Sequence, residues 1–165
     1  MDESIFLHDA LVRRKMWTAE GIRPVVKITG LHQRTCVLGA LYRWKEILSS
    51  VFYLSSIETF LKYLKELQRK FGKIILFIDR ARQHHHESKM IRTYLTERND
   101  VLRVVYFPKG SPEFNAVEEC WRQGKYDLLV SKYYPRFTDL KKAIAEYYRT
   151  KRFNLDIVKY LLRSL

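Results

Sequence analysis

The chain has 165 residues, 31 Lys+Arg against 18 Asp+Glu, a net charge of +13 and a pI near 9.8. Hydrophobic residues make up 47% of it, enough for the core of one domain or one domain with a small appendage, which excludes wholesale disorder. No run approaches the roughly 18 apolar residues of a membrane span, no signal peptide is present, and Cys36 and Cys120 make neither a disulfide framework nor, alone, a zinc site. The default expectation for so basic a chain is a cytosolic protein that handles nucleic acid.

In chain order, the apolar and partly β-branched stretches Ser4–Leu7, Pro24–Thr29, Thr35–Tyr42 and Ile47–Leu54 predict strands joined by short turns. Ser55-Ser56-Ile57-Glu58 reads as a capping box. It opens a helix whose apolar face is Ile57, Phe60, Leu61, Leu64, Leu67 and Phe71, and Gly72 ends it. Ile74–Ile78 is continuous apolar sequence, as in a strand buried on both faces, and it runs straight into Asp79. A helix over Glu87–Arg98 leads to a second buried strand, Val101–Phe107, and then to a loop at Pro108–Pro112. A further helix starts near Asn115 and passes Lys125. Two more fit Leu140–Tyr148 and Leu155–Leu162, with Thr138 and Asn154 as N-caps. Strands first, then alternating helix and strand, make an α/β layered domain with a mixed sheet.

Charge follows this layout. Residues 1–12 carry −3, residues 13–45 carry +7, residues 46–121 carry +2 and residues 122–165 carry +7. Two basic flanks around a nearly balanced, acid-bearing middle suit a nuclease, which holds polyanionic DNA on basic walls and keeps carboxylates for metal at the centre.

Three acids sit where the layout can gather them: Asp2 on the first strand, Asp79 at the carboxyl end of a central strand, and Glu118 in the first turns of the helix after the last strand. Mg²⁺ takes one or two carboxylates together with phosphate oxygens and water. Two such ions can serve an in-line phosphoryl displacement. By spacing alone, the same residues also read structurally: a strand-end Asp caps turns and helices, and a helix-start Glu answers the macrodipole.

The surrounding residues add a resemblance. Asp2-Glu3-Ser4, then Phe77-Ile78-Asp79-Arg80-Ala81 with His84, then Pro108-Lys109-Gly110-Ser111-Pro112-Glu113-Phe114-Asn115-Ala116-Val117-Glu118-Glu119-Cys120-Trp121 with Lys125 resemble the signatures of mariner-like insertion-sequence transposases, a branch of the DDE superfamily. The 38 residues between Asp79 and Glu118 are close to the family's spacing. Trp17, Gly21 and Gly39-Ala40-Leu41 also look like its early segment. The likeness covers roughly residues 2–130.

It implies an RNase H-like mixed five-stranded sheet flanked by helices, with residues 1–130 as the catalytic domain and 131–165 as a helical extension packed on it. It implies Asp2, Asp79 and Glu118 as catalytic, metal-binding carboxylates for Mg²⁺ or Mn²⁺, with two ions expected. Double-stranded DNA, as transposon ends and target, would be the partner, cleaved by hydrolysis and then attacked by the freed 3′-hydroxyl. A homodimer follows from the joining of two ends, and a nucleoid-associated cytoplasmic location from the substrate.

Arg80 stands where the family has Asn, Ala116 where it has Pro, and Lys109-Gly110 where Pro-Tyr is usual. The family's helix-turn-helix modules have no room before Met1, so the expectation is a catalytic domain without its DNA-reading arm and with a short first strand. Two other classes follow: a catalytically impaired DNA-binding remnant, or a different RNase H-like nuclease.

His84, five residues past Asp79, fits the family's position and is expected to meet phosphate or orient a carboxylate. The adjacent His84-His85-His86 cannot all face one ion and read as an exposed turn. Trp121, one turn beyond Glu118, reads as core rather than as a base-stacking platform. Lys125 lies a further turn along and is either a phosphate contact over the same cleft or a solvated lysine. Arg13, Arg14, Lys15, Lys151 and Arg152 are candidate phosphate contacts, although charge runs also occur as plain solvated surface. The cysteines read as small buried apolar residues.

Overall fold

The computed structural model describes residues 1–9, 17–23, 25, 27–42, 46–52, 56–80, 88–130 and 132–161. Strands β1 (Asp2–Leu7), β2 (Arg34–Tyr42) and β3 (Glu46–Phe52) form an antiparallel ladder in the order β1-β2-β3. Its register sets Asp2 opposite Gly39 and Cys36 opposite Phe52. Helix α1 (Ile57–Phe71) leads to β4 (Ile74–Ile78), which pairs in parallel with β5 (Leu102–Tyr106) through α2 (Lys89–Thr96). A 3₁₀ turn, Pro112–Phe114, precedes α3 (Ala116–Leu129), then α4 (Phe137–Thr150) and α5 (Ile157–Leu161).

The mixed α/β class holds, but the strands lie in two hydrogen-bonded ladders rather than in one five-stranded sheet. Just before β1, the Met1 amino group donates a hydrogen bond to the Phe77 carbonyl of β4, at 2.7 Å.

β2 is the wall between two cores, which explains its unbroken apolar sequence. Successive side chains point to opposite faces. Leu38 and Ala40 join Phe60, Leu64 and Leu67 of α1, Ile91 and Tyr94 of α2, and Leu76 and Ile78 of β4. Val37 joins Phe6 of β1, Val117, Cys120 and Trp121 of α3, and Leu140, Ile144 and Tyr148 of α4. Each such aliphatic side chain taken out of water contributes about 1.5–3 kcal/mol. α4 lies alongside both α3 and β3.

Several boundaries move for local chemical reasons. The capping box of α1 sits one residue later than Ser55–Glu58: the Ser56 backbone N–H donates to Thr59 Oγ1 at 2.9 Å, and the Thr59 N–H donates to Ser56 Oγ. Arg136, not Thr138, is the N-cap residue of α4. Asp156, not Asn154, caps α5, its Oδ1 accepting from the Val158 and Lys159 N–H groups. The strand expected at Pro24–Thr29 is absent among its described residues. There the Thr29 N–H and hydroxyl both donate to Asp9 Oδ2, at 2.8 and 2.6 Å, in place of a strand neighbour, and Val25 and Ile28 stay exposed. Among the described residues no helix is long and apolar enough to cross a membrane.

Candidate active site

Three elements deliver the predicted acids. Asp79 follows the last residue of β4, Asp2 is the first residue of β1, and Glu118 stands in the first turn of α3. Asp79 and Glu118 line one cleft of about 310 Å³, which also takes in Arg80, Lys109 and Asn115. The loop after β5 forms the cleft's other wall. Gly110, at φ 71°, makes the left-handed turn there that a side chain would strain. The Arg80 Nε–H donates to the Phe107 carbonyl at 3.3 Å, which ties the residue after Asp79 to that loop.

Asp2 is held from two sides. The Met1 amine fixes the strand start to Phe77, and the Trp121 indole N–H donates to Asp2 Oδ2 at 3.0 Å. Burial pushes the Asp2 carboxyl up to about 6. The Glu3 backbone N–H and the Met1 ammonium pull it down, while Asp79 and Glu118 push it further up. Glu118 is raised by burial first, then by Asp79 and Glu113. Burial lowers the Met1 amine to about 6, against the pull of Asp2 and Asp79. Repulsion from neighbouring carboxylates thus adds to burial in raising both Asp2 and Glu118.

They do not form a ready-made cage. Among the described residues no three His, Cys, Asp or Glu side chains are gathered into a metal-binding cluster. The donor chemistry still fits a hard cation. All three side chains offer oxygen, and Mg²⁺ needs only one or two carboxylates when phosphate and water supply the rest.

The structure separates the remaining candidates. Lys125 lies over the Phe6 ring, its Nζ 5.9 Å from the centroid, further along β1 than Asp2 and outside the residues that line the cleft. Lys151 Nζ is 3.4 Å from Asp127 Oδ2, on the α3–α4 side. Arg152 is exposed beside it. Arg13, Arg14, Lys15 and His84 lie outside the described residues. Trp121 is buried, as expected, yet it also binds Asp2, which its sequence position did not reveal. Arg80, Lys109 and Asn115 are cleft residues that sequence reasoning did not single out as functional. Asn115 carries the clearest missed signal: it is a polar residue at a helix start that is buried and makes no side-chain cap.

With this geometry in view, residues 1–141 match the family model described as DDE superfamily endonuclease. The chain belongs to that family. No curated protein matches it. Its fold is similar to that of about half of the Mos1 mariner transposase chain. A crystal structure of the mariner Mos1 paired end complex with Mg superposes with TM-score 0.71 at 16% identity, over 96% of this chain and 50% of that one. The Mos1 mariner paired end complex with Mn gives 0.68 at 16%, over 97% and 49%. The Mos1 strand transfer complex gives 0.66 at 15%, over 96% and 48%. This DDE-family chain thus spans about half the length of the solved chains it resembles.

Proposed function

We propose that the chain is the catalytic domain of a mariner-like DDE transposase, with an RNase H-like core at residues 1–130 and residues 131–165 as a helical extension whose α4 braces α3. Its substrate is double-stranded DNA, at transposon ends and target. A water oxygen attacks the phosphorus at an element end and releases a 3′-hydroxyl; that hydroxyl then attacks a target phosphorus and displaces a new 3′-oxygen. Two copies act together, one for each end.

The observation that carries this reading is the cleft at the end of β4 that Asp79 and Glu118 line together, with Asp2 at the start of β1 close enough to interact with both, in a chain of net charge +13. Asp79 and Glu118 would hold Mg²⁺ or Mn²⁺ from the cleft walls and Asp2 from the strand start. Such ions, when bound, activate the attacking oxygen and stabilise the leaving one. Arg80 and Lys109 line the same cleft and give it cationic groups for phosphate. The Mg- and Mn-bound Mos1 complexes and the Mos1 transposase complex with left transposon end support the choice of cofactor and partner.

The test is nicking of supercoiled plasmid by the chain at micromolar concentration with Mn²⁺. Nicking that needs the ion and disappears in Asp79→Asn supports the assignment. Salt-sensitive DNA binding with no nicking in any divalent ion identifies the DNA-binding remnant instead.

A further inference from the structure

We infer that Trp121 is a positioning residue for Asp2: its indole N–H holds Oδ2 and so determines which carboxylate oxygen faces the site. This rests on the reading of Asp2, Asp79 and Glu118 as metal ligands.

Asp2 is laddered to β2 at Gly39, and the residue before it hydrogen-bonds to Phe77 of β4, but these are main-chain contacts. The direction of the carboxylate is set by bonds to the side chain itself. The Trp121 N–H, 3.0 Å from Oδ2 and 119 residues away in sequence, makes such a bond.

The donor type matters. An indole donates one hydrogen bond, accepts none and carries no charge. It can therefore orient a carboxylate without neutralising it or competing for a cation, which a lysine or arginine at the same place would do. Carboxylates that ligate metals are commonly held by such outer hydrogen bonds.

The indole is itself immobilised. Trp121 is 4% exposed, and the Tyr148 ring meets it edge-on, with centroids 5.1 Å apart and planes at 80°. Tyr148 is in turn fixed between Phe6 and Phe153, and its hydroxyl donates to the Cys120 carbonyl at 3.3 Å. Trp121 also lies three residues after Glu118 on α3, so both project from one side of the helix. One helix thus brings a carboxylate to the site directly and sets a second one through its indole.

The experiment is a double-mutant cycle on Mn²⁺ affinity, read from the electron paramagnetic resonance of free Mn²⁺. Trp121→Phe keeps an aromatic ring and deletes the N–H, and should weaken Mn²⁺ binding about tenfold, the lower end of the effect of deleting an outer hydrogen-bond partner. In the Asp2→Ala background the same change should do nothing further, because the group it orients is gone. A role in packing alone would lower the melting temperature equally in both backgrounds and leave affinity unchanged. Mn²⁺ binding as tight in Trp121→Phe as in the unsubstituted chain, or additive losses, overturns this inference alone. Absence of Mn²⁺ binding in the unsubstituted chain overturns the metal reading and this inference with it. Should Trp121→Phe not fold, the Trp121 indole N–H proton resonance still decides: Asp2→Ala must shift it and speed its exchange with water, and an unmoved resonance overturns the hydrogen bond.

Discussion

The Phe77 carbonyl accepts a 2.7 Å hydrogen bond from the Met1 amino group, so the first strand meets the central strand through a buried amine beside two carboxylates. The amine and Asp2 are displaced in opposite directions, each to about 6. Folding thus favours protonated Asp2, and the stability this gives is complete below about pH 4 and lost as pH rises through 6. Folding also favours the neutral amine, a preference that costs stability below pH 6 and fades as pH rises toward 8. Metal-free thermal melts should therefore show a stability minimum near pH 6, each limb on the order of 3 kcal/mol at most. Asp2→Asn should flatten the acid limb. A melting temperature that climbs steadily from pH 4 to 8 would contradict this electrostatic account.

Gly124 faces Tyr148 across the α3–α4 contact. A Cβ there would stand 1.9 Å from the Tyr148 hydroxyl oxygen and 2.7 Å from its ring carbon. Tyr148 is almost wholly buried and has nowhere to move. Gly124→Ala should therefore destabilise the chain by about 1–3 kcal/mol, an overpacking cost that exceeds the roughly 1 kcal/mol alanine gains over glycine in a helix. Chemical denaturation measures it; an unchanged or higher midpoint would show that the helices separate freely.

DNA affinity should fall steeply with salt and show little sequence preference, because phosphates dominate binding to a surface of this charge. Replacing Arg13, Arg14 and Lys15 together with Glu should weaken binding to all duplexes. It should also reduce the slope of log affinity against log salt by about one for each phosphate no longer neutralised. Fluorescence anisotropy across a salt series reads both quantities. An unchanged slope would place those three residues away from DNA.

The parts of this architecture legible from sequence were those whose signal is local. Ile74–Ile78 is a strand as its apolar run predicts, although Ile75 is 62% exposed and the strand is not buried on both faces; its immediate continuation into Asp79 puts that acid at the strand's carboxyl end. The Pro108–Trp121 stretch locates α3 and Glu118 because a proline-bearing loop and a helix start are written in adjacent residues. Where two local solutions compete, sequence alone does not choose between them. Ser55 and Ser56 offer equivalent hydroxyls, and the choice fell to the one that Thr59 can answer. Val25 and Ile28 have strand propensity, but a strand needs a neighbour, and the Thr29 N–H is already committed to Asp9. The Trp121–Asp2 bond was invisible for another reason: it joins distant parts of the chain and exists only once α3 lies across β1.

The central claim, that the acids around the β4 cleft form a cation site, is tested most directly by Mn²⁺ titration followed by thermal unfolding. Asp79→Asn with Glu118→Gln in one chain is the comparison. Each substitution deletes an anionic ligand while nearly preserving shape. The unsubstituted chain should be stabilised as Mn²⁺ rises, reaching about 2.7 kcal/mol at a hundredfold excess over the dissociation constant. The double variant should show no such shift, and a stabilisation that survives both substitutions would contradict the account.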